Sequence, residues 1–247
     1  MRIALALLAG LTALACCGEV DTSDTQTSFI VMAGQARAVT KIVQDDYLYV
    51  VGALKNGAQL KVAACAVDEV LYAGREGNFI AARERRAEER HSLAALYWVK
   101  ALEALEKQLW GIEQCSFGAG EALCSAKMYK GFAGRRGQKI APSVYLRETM
   151  EANPKSRFLP QVWPLLVESL TGEERLDEAA AALARAQAWL KQYREETLRI
   201  GEGFTPIYER ARARLALAGA RLANRKLAPG TPEVAPPNTR NLAREEK

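Results

Sequence analysis

From Leu93 to Leu222 the apolar residues return every three or four positions, and no other property of this chain restricts its fold as strongly. Leu93, Leu96, Tyr97, Ala101, Ala104, Leu105, Leu109 and Ile112 fall on one side of a helix wound at 3.6 residues per turn. Leu176, Ala179, Ala180, Leu183, Ala186 and Leu190 form a second stripe, and Ile207, Ala211, Leu215, Ala218 and Leu222 a third. Asp177 near the start of the second stripe suits the positive end of a helix dipole. Residues 83–91 (RERRAEERH) continue the first helix backwards as a solvated stretch, with Arg85 in reach of Glu88 and Glu89. Residues 29–43, 47–54 and 59–72 are shorter helix candidates divided by glycines at 57, 74 and 77, and strand-like alternation is confined to residues 47–51. The expected class is therefore all-α. After Leu227 the chain becomes proline-rich and charged (APGTPEVAPPNTRNLAREEK), which predicts a disordered tail over residues 228–247.

The N-terminus carries an address. Arg2 precedes an apolar run over residues 3–15 and then the pair Cys16 and Cys17, the layout of a secretory signal too short to span a bilayer comfortably. Because a cysteine follows small Ala15 directly, residues 1–17 resemble a bacterial lipoprotein signal. That resemblance implies lipidation of Cys16, with Cys17 as the alternative. Ordinary cleavage after Ala13-Leu14-Ala15 would instead release a soluble periplasmic or secreted protein. Residues 18–28 are polar, as a spacer off a membrane should be. No Asp follows either cysteine, so the resemblance places the protein on the periplasmic face of the outer membrane.

The remaining body, residues 29–227, is long enough for a sizeable core. The whole chain, 49% hydrophobic and 26% charged, is not a disordered one, and no second apolar stretch has the length of a membrane span. The net charge of +5 is mild and its charged runs mix signs, which argues against nucleic acid as a partner.

Between residues 154 and 190, Trp163, Leu166, Val167 and Leu170 lead to the turn Thr171-Gly172, then to small Ala179 and larger Leu183. This order, with the run from Asn153 to Pro160 before it, is similar to a tetratricopeptide (TPR) repeat of outer-membrane lipoproteins of the barrel-assembly type. Met128, Phe132, Gly134, Ala141 and Tyr145 stand 38 positions earlier and would make residues 125–154 a degenerate preceding unit, giving a TPR-like part over about residues 125–200. Pro142 fits such a unit only in the first turn of its second helix. The expected architecture is antiparallel helical hairpins, arranged as a TPR-like right-handed array or as an irregular helical bundle.

Outside the leader the chain has Cys65, Cys115 and Cys124. A disulfide between Cys115 and Cys124 across the glycines at 118 and 120 is one reading; a bond to Cys65 and buried free thiols are the others. Cysteine spacing and the lone His91 argue against a metal, and the same scarcity of imidazole argues against nucleophilic catalysis. Neither cofactor nor enzymatic activity is expected. Trp163, Trp189 and Tyr193, the last two four residues apart on one helix side, are the residues expected near a partner-binding groove. The function so implied is a protein-binding scaffold or adaptor in cell-envelope assembly or maintenance, with an envelope protein as partner. One alternative is a component of a solute uptake system with a ligand pocket near Trp98 and Trp110. A cell-wall hydrolase, which needs two facing carboxylates, is the other.

Overall fold

The computed structural model describes residues 24–133 and 138–227, so the leader, both candidate lipidation cysteines, Gly134 and the C-terminal tail lie outside the described residues. The all-α expectation is wrong for the first quarter of the chain. Residues 28–71 form six strands in two three-stranded antiparallel sheets, ordered β2-β1-β6 and β3-β4-β5. The strands are β1 (Ser28–Met32), β2 (Gln35–Val39), β3 (Lys41–Asp45), β4 (Tyr49–Ala53), β5 (Gln59–Ala63) and β6 (Glu69–Leu71).

Turn chemistry and β-branched residues make these segments strands. Ala33 and Gly34 both take positive φ, which closes the β1–β2 hairpin with the twist that flanking strands prefer. Asn56-Gly57, with Gly57 at φ 82°, closes β4–β5. Thr40 donates its N–H (2.8 Å) and its hydroxyl (2.9 Å) to the Ala53 carbonyl, so the chain bends there from the first sheet into the second. A 3-10 turn at Ala64–Ala66 brings it back to β6 beside β1. Ile30, Val39, Val50 and Val70 form a common core of both sheets, and a Cβ at Gly52 would stand 2.6 Å from Val39 Cγ1. The result is a small barrel-like unit, two three-stranded sheets around one shared core. Val43 is exposed because the β3–β4 register shifts between Ile42 and Gln44.

Among the described residues seven α-helices follow: α1 (Gly77–Ala87), α2 (His91–Ala104), α3 (Leu109–Ser125), α4 (Pro142–Ala152), α5 (Leu159–Gly172), α6 (Leu176–Leu198) and α7 (Thr205–Leu227). The charged run at 83–91 does not continue the next helix backwards. Glu89 turns to φ 58° and divides α1 from α2. The predicted preceding unit at 125–154 is corrected too: after α3 ends at Ser125 a two-stranded ribbon (β7, Phe132–Ala133; β8, Lys139–Ile140) intervenes before α4. Pro142 does sit in the first turn of α4. Helices α5 and α6 form the hairpin expected from residues 154–190, with Ala179 fully buried and Gly172 so close to the Tyr129 ring that a Cβ there would meet it at 2.4 Å. Consecutive helices pack on one another, and α5 also touches α3 and α7.

The Cys115–Cys124 disulfide is overturned by the same geometry. Both residues lie on α3, nine positions and so about 13 Å apart along its axis, far beyond the reach of an S–S bond. Both are buried, and among the described residues neither they nor Cys65 form a disulfide. Burial pushes the Cys124 thiol well up from its ordinary range.

The barrel is joined to the helices through the β3–β4 turn. Tyr47 inserts edge-on against Trp189 (5.9 Å) and Tyr193 (5.7 Å), which stack on each other at 5.0 Å. Its N–H bonds the Lys155 carbonyl, and its hydroxyl donates to Glu196 Oε2 at 2.7 Å. Tyr47→Phe is expected to cost about 1 kcal/mol in urea unfolding, the usual net worth of a partly buried hydrogen bond. An unchanged midpoint would mean that the Tyr47 hydroxyl is solvated instead.

Candidate functional site

A cavity of about 760 Å³ opens where the barrel meets the helices. That volume lies within the range of small-ligand sites. The turn after β5 supplies Ala64 and Cys65, and the start of β6 supplies Asp68 and Glu69. Opposite them stand Phe79, Arg83 and Arg86 of α1, Trp98 of α2 and Gln114 and Phe117 of α3. Arg157 and Phe158 come from the turn before α5, and Ile207, Arg210, Ala211 and Arg214 from one face of α7.

Aromatic side chains give the floor its rigidity. Phe117 and Phe158 stack at 4.3 Å, and the Arg157 guanidinium lies 4.5 Å from the Phe158 ring centre. Trp98 packs edge-on against Phe79 at 5.1 Å and leaves its indole N–H without a hydrogen-bond partner. It reaches this position because α3 has glycine at 118: a Cβ there would come within 2.4 Å of the indole. Gly118→Ala should therefore displace a wall residue and cost about 2 kcal/mol by overpacking. Thermal unfolding, with Trp98 emission as a second readout, would check it; a rise in stability would show that α3 has room for the methyl group.

Five arginines line the cavity against two carboxylates, so its electrostatic character is positive. The basic residues differ in what they already hold. Arg83 pairs with Glu69, Arg86 lies 2.8 Å from Glu121, and Arg157 Nε lies 3.1 Å from Asp45 Oδ1. Asp68 accepts a bond from the Gly34 N–H. Arg210 donates only to the Pro206 carbonyl, at 3.3 Å, and neither Arg210 nor Arg214 has a carboxylate partner among the described residues.

Behind the Arg157 wall is a buried polar joint. Asp45 Oδ2 accepts from the Tyr72 hydroxyl at 2.9 Å and from Arg157 Nε at 3.2 Å, and Asn153 Nδ2 donates both to the Asp45 carbonyl and to Glu113 Oε2. Glu113 is 5% exposed, its Oε1 has no hydrogen-bond partner, and burial raises its pKa to about 7. Burial, helped by Asp45 and Glu113, raises the Tyr72 phenol as well. This network ties β3 and β6 to α3 and the α4–α5 turn, and Gln114 extends it by donating to the Val70 carbonyl.

Of the residues expected at a groove, Tyr193 is in the cavity wall but only 1% exposed, covered by the chain's own Tyr47. Trp189 is used internally in the same stack, and Trp163, half-buried on α5, lies outside the cavity. The three residues therefore do not share one cavity. Trp98 borders the cavity, while Trp110 stacks on Tyr72 at the barrel joint. Arg210 and Arg214 were missed, although their places beside the Ile207–Ala211 stripe were readable as one helix face. Among the described residues no group of three or more His, Cys, Asp or Glu side chains could hold a metal ion, and no helix is long and apolar enough to cross a membrane.

The fold and cavity define a barrel with a helical body whose joint forms a basic cleft. No protein-family model, curated protein or solved structure matches the chain.

Proposed function

We propose that this is a lipid-tethered extracytoplasmic binding protein that acts by holding a partner or ligand in the cleft between barrel and helices, without catalysing a reaction. The observation that carries the reading is the cleft itself, about 760 Å³, walled by aromatics and arginines from five separate parts of the chain. The lipoprotein-like residues 1–17 support the tether, and the scaffold role in the envelope follows from pairing such a tether with such a cleft. Catalysis is disfavoured because the buried carboxylates Asp45 and Glu113 lie behind the wall and do not face each other across the cleft.

Two measurements test the two halves. Expressed with its own leader in a bacterial host, the mature chain should begin at Cys16 and carry the mass of a diacylglycerol and an acyl chain; an unmodified soluble product would overturn the tether. A photo-crosslinking residue at Gln161, on the cleft wall, should trap an occupant in the cells that make the protein. The same residue at Leu217, exposed on α7 and outside the cleft, should not. Equal yields at both positions would remove the cleft from the function.

A further inference from the structure

We infer that the cleft's occupant is an extended acidic peptide segment, its carboxylates taken by Arg210 and Arg214 of α7 and its intervening side chains resting on the Phe117–Phe158 floor. The inference rests on the cleft being the binding surface and adds the chemistry of what enters it.

The pairing pattern along α7 carries the charge argument. Arg212 is 2.6 Å from Glu209, Arg221 2.9 Å from Glu168, Arg225 3.2 Å from Glu174 and Lys226 3.9 Å from Asp177. The basic residues of this helix thus find carboxylates everywhere except on the face that borders the cleft. There Arg210 and Arg214 have no carboxylate partner among the described residues and border a concave cleft, whose walls focus their field on an incoming anion. Both are exposed, so they can turn towards an incoming ligand without breaking an internal ion pair.

Spacing selects an extended chain over a compact anion. Arg210 and Arg214 are one turn apart, about 6 Å along the axis, while alternate residues of an extended peptide are about 6.6 Å apart. Consecutive acidic side chains on one edge of such a peptide would meet consecutive arginines. Side chains on its other edge would point at Phe158, part-exposed and stacked on the buried Phe117, which offers apolar area that a lone phosphate could not use. The Arg157 head above Phe158 adds a third cation, already shared with Asp45.

The test uses the mature full-length chain and a fluorescein-labelled hexapeptide of alternating glutamate and leucine, read by anisotropy. Saturable binding is expected, with at least tenfold weaker affinity for the Arg210→Ala/Arg214→Ala double variant. The Arg212→Ala/Arg221→Ala variant removes the same charge from the same helix away from the cleft and should bind within twofold of the unaltered protein. Equal loss in both variants would overturn the inference in favour of diffuse charge attraction. So would equal affinity for the peptide with glutamine in place of glutamate, or complete displacement by inorganic pyrophosphate at equal concentration, which would mark a compact-anion site. A trapped occupant at Gln161 together with no binding of the glutamate peptide would keep the cleft and reject its acidic ligand, so the two readings fail separately.

Discussion

Replacing Arg157 with Ala is expected to lower the free energy of unfolding by about 3–5 kcal/mol, the cost of leaving a buried carboxylate without its counter-ion. Asp45 retains only 4% of its side-chain exposure and Arg157 13%, so water cannot take over the pairing as it does at the surface. The other donor to the Asp45 carboxylate, the Tyr72 hydroxyl, is neutral and cannot balance the charge alone. Because Asp45 ends β3 and Arg157 precedes α5, the loss falls on the barrel–helix joint. Urea unfolding would measure it, and a double-mutant cycle would isolate the pair: Asp45→Asn added to Arg157→Ala should recover part of the loss. A cost below about 1 kcal/mol would sink the claim that the pair is desolvated.

Glu113→Gln should act in the opposite direction and only at high pH. The folded carboxyl keeps its proton up to pH about 7, whereas a free one loses it near 4.5, chiefly because the site is buried. The folded state therefore binds the proton more tightly than the unfolded state. Stability from this group is fully present below pH 4.5 and is lost as pH rises towards and through 7. At 1.36 kcal/mol per unit the loss amounts to about 3 kcal/mol by pH 8. Gln cannot ionise and keeps an acceptor for Asn153, so the variant should be about 3 kcal/mol more stable than the unaltered protein at pH 8 and nearly equal to it at pH 4.5. Unfolding free energies at the two pH values settle the matter; a variant less stable at pH 8 would mean that the ionised Glu113 is held by partners and is not stranded.

The helical part was readable because its stripes are long. The residues from Leu176 to Leu190 and from Ile207 to Leu222 have enough turns for a 3.6-residue period to stand out, and α6 and α7 bury Ala179, Ala186, Leu190, Ala211, Leu215 and Leu222 as that period requires. The barrel was not read, since each strand is at most five residues long and its apolar positions mimic a short helical stripe. Asn56-Gly57 and the β-branched run through Ile30, Val31, Val39, Ile42 and Val50 held the contrary signal, strongest at a turn read only as a break between helices. Residues 83–91 misled differently: a run of good helix formers says nothing of where a positive φ at Glu89 will interrupt it.

A Cys115–Cys124 disulfide was one of three open readings because short loops close easily, a judgement that depends on the intervening residues being a loop. They are a helix instead, because Gly118 and Gly120 serve close packing against Trp98 and Leu146 and not a turn. Trp189 and Tyr193 were likewise recognised as aromatics on one side of a helix, while what they touch, Tyr47, lies some 140 positions earlier.

By itself, the chain's order of residues determined the local quantities: helical period, the proline start of α4 and the α5–α6 hairpin. Those depend on neighbours within a few positions. Tertiary structure alone decided which distant groups share an environment. It brought Asp45, Glu113 and Arg157 together out of water, packed Trp189 and Tyr193 against Tyr47 of the barrel, and left Arg210 and Arg214 without a carboxylate at a cleft. The physical reason is that charge pairing and burial depend on distance in space and on exclusion of solvent, neither of which is encoded in the spacing of residues along the chain.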